Sequence, residues 1–157
     1  MGLDMYLTGK RYLWGFADSP DQEMIQQIQP LFPEVKGRRI TEVSCEMMYW
    51  RKANQIHRWF VDNVQEGKDE CQETFVSVDQ LQELLNLCRA VLASQGKPNA
   101  EANAEAWLPT GAGFFFGNTA YDEYYYSNLE ETAKGLEELL ADESVTKHWE
   151  FYYRSSW

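Results

Sequence analysis

A chain of 157 residues, 44% hydrophobic and 15% aromatic, has the length and apolar material for one domain that buries roughly two thirds of its unfolded surface. That excludes disorder for its bulk. Its formal charge of −11 repels nucleic acid phosphates, so direct DNA or RNA binding is not expected, and a basic partner is steered in.

In chain order, Leu3 to Leu7 alternates as an edge or first strand, and "GKRYLWGF" reads as a turn followed by a second extended piece. "SPDQEMIQQIQPLF" predicts a short helix over 20–29, with Ser19 as N-cap, Pro20 at the first helical position and an end near Pro30. "RRITEVSCEMMYW" alternates through Ile40, Val43, Cys45, Met47 and Tyr49 as a strand with one solvated face. Its last residues pass into a helix in which Trp50, Ala53, Ile56, His57, Phe60, Val61 and Val64 form one stripe and Gly67 marks the stop.

"TFVSV" predicts a short strand. Asp79 then caps a helix whose stripe is Leu81, Leu84, Leu85, Cys88, Val91 and Leu92, terminated at Gly96. Residues 95–107, rich in Ala, Asn and Glu, read as a flexible connector or a marginal helix, and "LPTGAGFFFGNT" as a strand or tight loop. A last helix over 122–141 carries Tyr126, Leu129, Ala133, Leu136 and Leu140 on its apolar stripe, with Glu123, Glu130, Lys134 and Glu137 opposite. Tyr124 and Tyr125 point away from the stripe centre and are expected to be partly exposed. "KHWEFYYRSSW" closes as a strand with Trp149, Phe151 and Tyr153 on one side. The expectation is a single α/β or α+β domain over residues 1–157, with four or five short strands and three main helices.

Cys45, Cys71 and Cys88 match neither a disulfide framework nor a metal-binding pair and read as reduced thiols. No apolar run approaches the roughly 20 residues of a membrane span, and no secretory leader is evident, so a cytoplasmic location is expected. Tyr6 stands where a myristoylation signal wants Ser or Thr.

Chemistry-bearing motifs are sparse. The glycines of "PTGAGFFFGNT" form neither a P-loop nor a dinucleotide fingerprint. His57 and His148 show no metal-ligand spacing, so no metal and no cofactor is expected. His57, on the apolar side of its helix, reads as a packing histidine in preference to a base. There is no GxSxG nucleophile motif, and Asp122 and Glu123 are accounted for by the helix dipole. No catalytic residue is assigned. Lys36, Arg38, Arg39, Arg51, Lys52 and Arg58 make the one basic set. Tyr121, Tyr124, Tyr125, Tyr152, Tyr153 and Trp157 exceed what a core needs, and suit a partner interface or a homodimer patch.

"MGLDMYL", "YWRKANQIHRWFVDN", "LPTGAGFFFGNTAYDEYYYSNLEET" and "YYRSSW", in that order over most of the chain, resemble a group of small uncharacterised proteins carried by bacteriophages and prophages. The resemblance implies an accessory protein working in the cytoplasm of an infected bacterium. Small acidic phage proteins of this kind often block a host protein complex, frequently a nucleic acid-binding antiviral defence complex, an anti-CRISPR type of role. On that reading the last helix supplies the partner-binding residues, Glu123, Glu130, Glu131, Glu137 and Glu138 for steering with Tyr124 and Tyr125 as anchors. A second expectation is a nucleotide-like small-ligand pocket built by Trp50, Arg51, Asn54, His57, Phe114, Phe115, Phe116 and Tyr121. A third is an enzyme using Arg51, Asn54 and His57 of the middle helix.

Overall fold

The computed structural model describes residues 2–157. Four strands, β1 (Asp4–Tyr12), β2 (Glu42–Arg51), β3 (Thr74–Val76) and β4 (Glu150–Ser156), form one antiparallel sheet in the order β2-β1-β4-β3. Among the described residues six α-helices, with two short 3-10 turns after the first (Gln29–Leu31 and Pro33–Val35), complete the domain: α1 (Asp21–Ile28), α2 (Asn54–Asn63), α3 (Val78–Ser94), α4 (Ala100–Trp107), α5 (Glu123–Ala141) and α6 (Glu143–His148). The architecture is α+β, since every strand pair is antiparallel.

The first strand corrects the sequence reading. It runs unbroken for 9 residues, with no turn at Gly9. Gly9 pairs with Cys45 on one side and Phe151 on the other, and Lys10 with Ser44 and Glu150. Two flanking ladders hold extended a glycine that in isolation favours a turn. Alternation then sends Met5 and Leu7 of β1, and Leu3 just before it, into the core with Phe151 and Tyr153 of β4.

Trp50 belongs to the end of β2, next to its last residue Arg51, and does not begin a helix. Lys52, at φ 56, turns the chain, and α2 starts only at Asn54. Strand end and helix start face the same core, which is why Trp50 fell on the helical stripe by spacing alone. Likewise α3 is capped by Ser77, two residues before Asp79: the Ser77 hydroxyl accepts from the Gln80 amide (3.1 Å) while the Gln80 side chain accepts from the Ser77 amide (3.0 Å). On α1, Pro20 stands at the cap position without a side-chain bond, and the Ser19 hydroxyl accepts from the Asp21 amide. The 95–107 stretch contains α4, which inserts Ala104 into the core. Residues 109–121, with the three phenylalanines, form a loop and no strand.

The helices cover one side of the sheet, with α3 packed along α5 and α4. The other side carries Tyr6, Tyr49, Tyr152 and Phe75, of which Tyr49 and Phe75 are exposed. Among the described residues no helix is long and apolar enough to cross a membrane.

All 3 cysteines are free, Cys45 exposed and Cys88 buried. Burial pushes the Cys88 thiol up to about 12, so it carries almost no thiolate at neutral pH. A disulfide reagent at about pH 8 should therefore label Cys45 in the native protein and reach Cys88 only after unfolding. Rapid labelling of Cys88 in the native protein would contradict its place in the core.

Candidate functional site

The outer side of α5 presents Glu123, Glu130, Glu131, Glu137 and Glu138, all exposed. They arise from a helix whose inner stripe, Tyr126, Leu129, Ala133 and Leu136, is buried against α3 and the sheet. Only Glu137 is engaged among the described residues, by Arg89 of α3 at 2.8 Å. Asp122 caps the helix, its carboxylate accepting from the Tyr125 amide at 3.1 Å. That bond, foremost, holds the Asp122 carboxyl below the usual range. Tyr124 is exposed and donates to the Arg51 carbonyl (2.9 Å), which fixes an aromatic side chain beside Glu123.

Tyr125 corrects the expectation of exposure. It is 2% exposed, its hydroxyl donates to the Leu108 carbonyl at 2.8 Å, and burial raises its phenol well above the ordinary value. The residue therefore belongs to the core and cannot anchor a partner. Two consecutive tyrosines, Tyr125 and Tyr126, are both accommodated because Tyr126 lies on the inner stripe of α5 while Tyr125 is covered by Leu108 and Tyr121 from the connecting loop.

The residues expected to line a ligand pocket are distributed among different tasks. Trp50 is buried and donates its indole N–H to the Thr132 hydroxyl (2.8 Å), tying β2 to α5. Arg51 is exposed and pairs with Asp4 at 3.5 Å. Asn54 is buried and clamps the phenylalanine loop: its amide donates to the carbonyls of Phe116 (3.0 Å) and Asn118 (2.8 Å), and its carbonyl accepts from the Gly111 amide (3.0 Å). The loop bends at Gly117, at φ +85. At Gly113 a Cβ would sit 2.5 Å from the Phe116 ring, so only glycine admits that ring. Phe116 packs edge-on to His57 (5.0 Å between ring centres), the Phe115 carbonyl accepts from the Leu3 amide, and Phe114 is left 95% exposed at the tip. Tyr121 is half-buried beside Tyr125.

His57 is 2% exposed with both ring nitrogens engaged, Nδ1 with the Tyr153 hydroxyl at 2.7 Å and Nε2 with Asp69 at 2.9 Å. A carboxylate only accepts, so Nε2 carries a proton, and in the neutral ring Nδ1 accepts from Tyr153. Burial keeps the Tyr153 phenol protonated, well above its usual value. The other Asp69 oxygen accepts from the indole of Trp157 at 3.1 Å. This chain of bonds fastens the end of β4 to α2, and a 250 Å³ recess lined by His57, Arg58, Asp69 and Phe116 opens beside it. Of the residues assigned to the pocket, the structure gathers Asn54, His57 and Phe116 with the loop backbone, and the rings of Phe114 and Phe115 meet only each other, edge-on at 4.8 Å. It places Trp50 inside the core and Arg51 and Phe114 on the surface.

Sequence reasoning missed the exposed aromatics Tyr12, Trp14, Phe16 and Phe75. A signal was present for the first three, which recur with a period of two through "YLWGF". Rings of Tyr12 and Trp14 meet edge-on at 4.8 Å, and those of Trp14 and Phe16 stack at 6.0 Å.

Compared with known family models, characterised proteins and solved structures, the chain matches none.

Proposed function

We propose that the protein acts by binding, occupying a basic surface of another protein through the outer side of α5. In the bacteriophage setting that its sequence resembles, the partner is a host nucleic acid-binding complex, an antiviral defence complex foremost, and the site of action is the host cytoplasm. The observation that carries this reading is the exposure of Glu130, Glu131, Glu137 and Glu138 along one helix side with a single ion pair among them. The five carboxylates outnumber Lys134, the one cation that α5 itself places on this side, so a net negative field is left for an incoming basic surface, which raises encounter rates and disfavours acidic competitors. Tyr124 and Glu123 extend the same surface by one aromatic contact of low entropy cost.

The test compares the tagged protein with a variant in which Glu130, Glu131, Glu137 and Glu138 are changed to glutamine, both exposed to lysate of the bacterial host. These side chains lie outside the core, so the variant should keep its thermal midpoint. Capture of a nucleic acid-binding host protein should fall by roughly tenfold or more in the glutamine variant and in high salt. Equal capture by both proteins, or none by either, would sink the acidic-face reading.

A further inference from the structure

A cleft of about 640 Å³ lies at one end of the sheet, between the ends of β1 and β3, the start of β4 and the helices α1 and α6. Its volume is within the ~300–1,000 Å³ typical of small-molecule sites. It shares no residue with the α5 carboxylates. Aromatic side chains form its walls: Trp14 is 55% exposed and Phe75 52% exposed, although soluble domains ordinarily cover such rings. Tyr12 and Phe16 brace Trp14 in place, so its ring is a prepared surface and not a loose side chain.

The charges around these rings are already balanced. Arg11 pairs with the buried carboxylate of Asp21 at 3.0 Å, and the same carboxylate accepts from the Trp14 amide at 3.0 Å. Lys10 is paired with Glu73, and Lys147 with Glu143 at 3.1 Å. No cation of the cleft is left over to neutralise a phosphate, and the whole chain carries −11. Polar edges are nevertheless available. The Asp21 pair occupies one guanidinium nitrogen of Arg11, leaving its other donors, and His148 makes no side-chain hydrogen bond among the described residues.

We infer that this cleft binds an uncharged planar heterocycle of nucleoside size, stacked on Trp14 with its polar edge toward Arg11 and His148. Stacking on exposed aromatic faces tolerates any base, and donors beside the rings select heterocycles over plain hydrocarbons. The balanced charge disfavours the phosphorylated forms, so the ligand is the nucleoside and not the nucleotide or a nucleic acid strand. The inference stands independently of the acidic-face reading.

Calorimetric titration with adenosine, cytidine, AMP and ATP tests it, together with the indole N–H resonances of the full-length protein. Adenosine or cytidine should bind saturably and shift the Trp14 resonance, AMP should bind more weakly and ATP more weakly still. Trp14→Ala should lower nucleoside affinity by about tenfold or more. Trp107→Ala, which removes an exposed tryptophan of α4, should leave it unchanged. The inference is overturned by absence of saturable binding, by an ATP affinity above that of adenosine, or by equal binding in wild type and Trp14→Ala. Because Trp14 and Trp107 are both exposed, neither variant should unfold the domain, and a circular dichroism melt of each confirms it.

Discussion

Trp50→Ala should destabilise the domain by about 3–5 kcal/mol, a large part of the ~5–15 kcal/mol available to a protein of this kind. The side chain is 4% exposed, packs on Phe60 with ring centres 5.9 Å apart, and donates to Thr132. Its removal leaves a cavity at the junction of β2, α2 and α5 and takes the indole donor from the Thr132 hydroxyl, which itself donates to the Asn128 carbonyl. Thr132→Val separates packing from polar contact, because it leaves the indole in place while removing the hydroxyl from both the Trp50 indole and the Asn128 carbonyl, and should cost roughly 1–2 kcal/mol. Denaturant midpoints of both variants measure this. A Trp50→Ala cost no greater than that of Thr132→Val would mean that packing around the indole contributes little.

His57→Phe should cost about 2–3 kcal/mol, through unmade hydrogen bonds in place of lost volume. The ring would keep its contact with Phe116, but the Tyr153 hydroxyl, in a fully buried side chain, would have no partner. Asp69 lies partly at the surface, where water can replace the lost bond. Adding Tyr153→Phe to His57→Phe should therefore recover about 1 kcal/mol or more, since removing both partners is milder than orphaning one. A double variant as unstable as the sum of the two single changes would show that the histidine and tyrosine are not coupled. Trp157 would loosen in the single variant as well, because Asp69 also accepts from its indole. Its fluorescence should shift toward that of a solvated indole.

The helices α2, α3 and α5 were legible because their apolar residues repeat at three and four positions over 10, 17 and 19 residues. The acidic outer side of α5 was legible for the same reason, as the complement of a core stripe. Tyr125 was not, since a helix enclosed on more than one side buries residues that flank its stripe, and enclosure depends on where α3 and the 108–121 loop settle. The capping box at Ser77 was written in "SVDQ" but lay behind the more familiar signal of Asp79.

By itself, then, the sequence determined the number of long helices, the one-sided patterning of β4, the free thiols and the sign of the charge, all properties of local periodicity and composition, whereas on β2 the alternation through Cys45 and Tyr49 marked the exposed side and Trp50 is the residue that faces the core. Tertiary structure alone decided that Gly9 is extended, that Asn54 is a loop clamp, that His57 bridges Tyr153 and Asp69, and that Trp14 and Phe75 face one cleft. The physical reason is separation along the chain: the partners of Asn54 and His57 lie up to 96 residues away, and no spacing rule reaches across strands that pair out of sequence order.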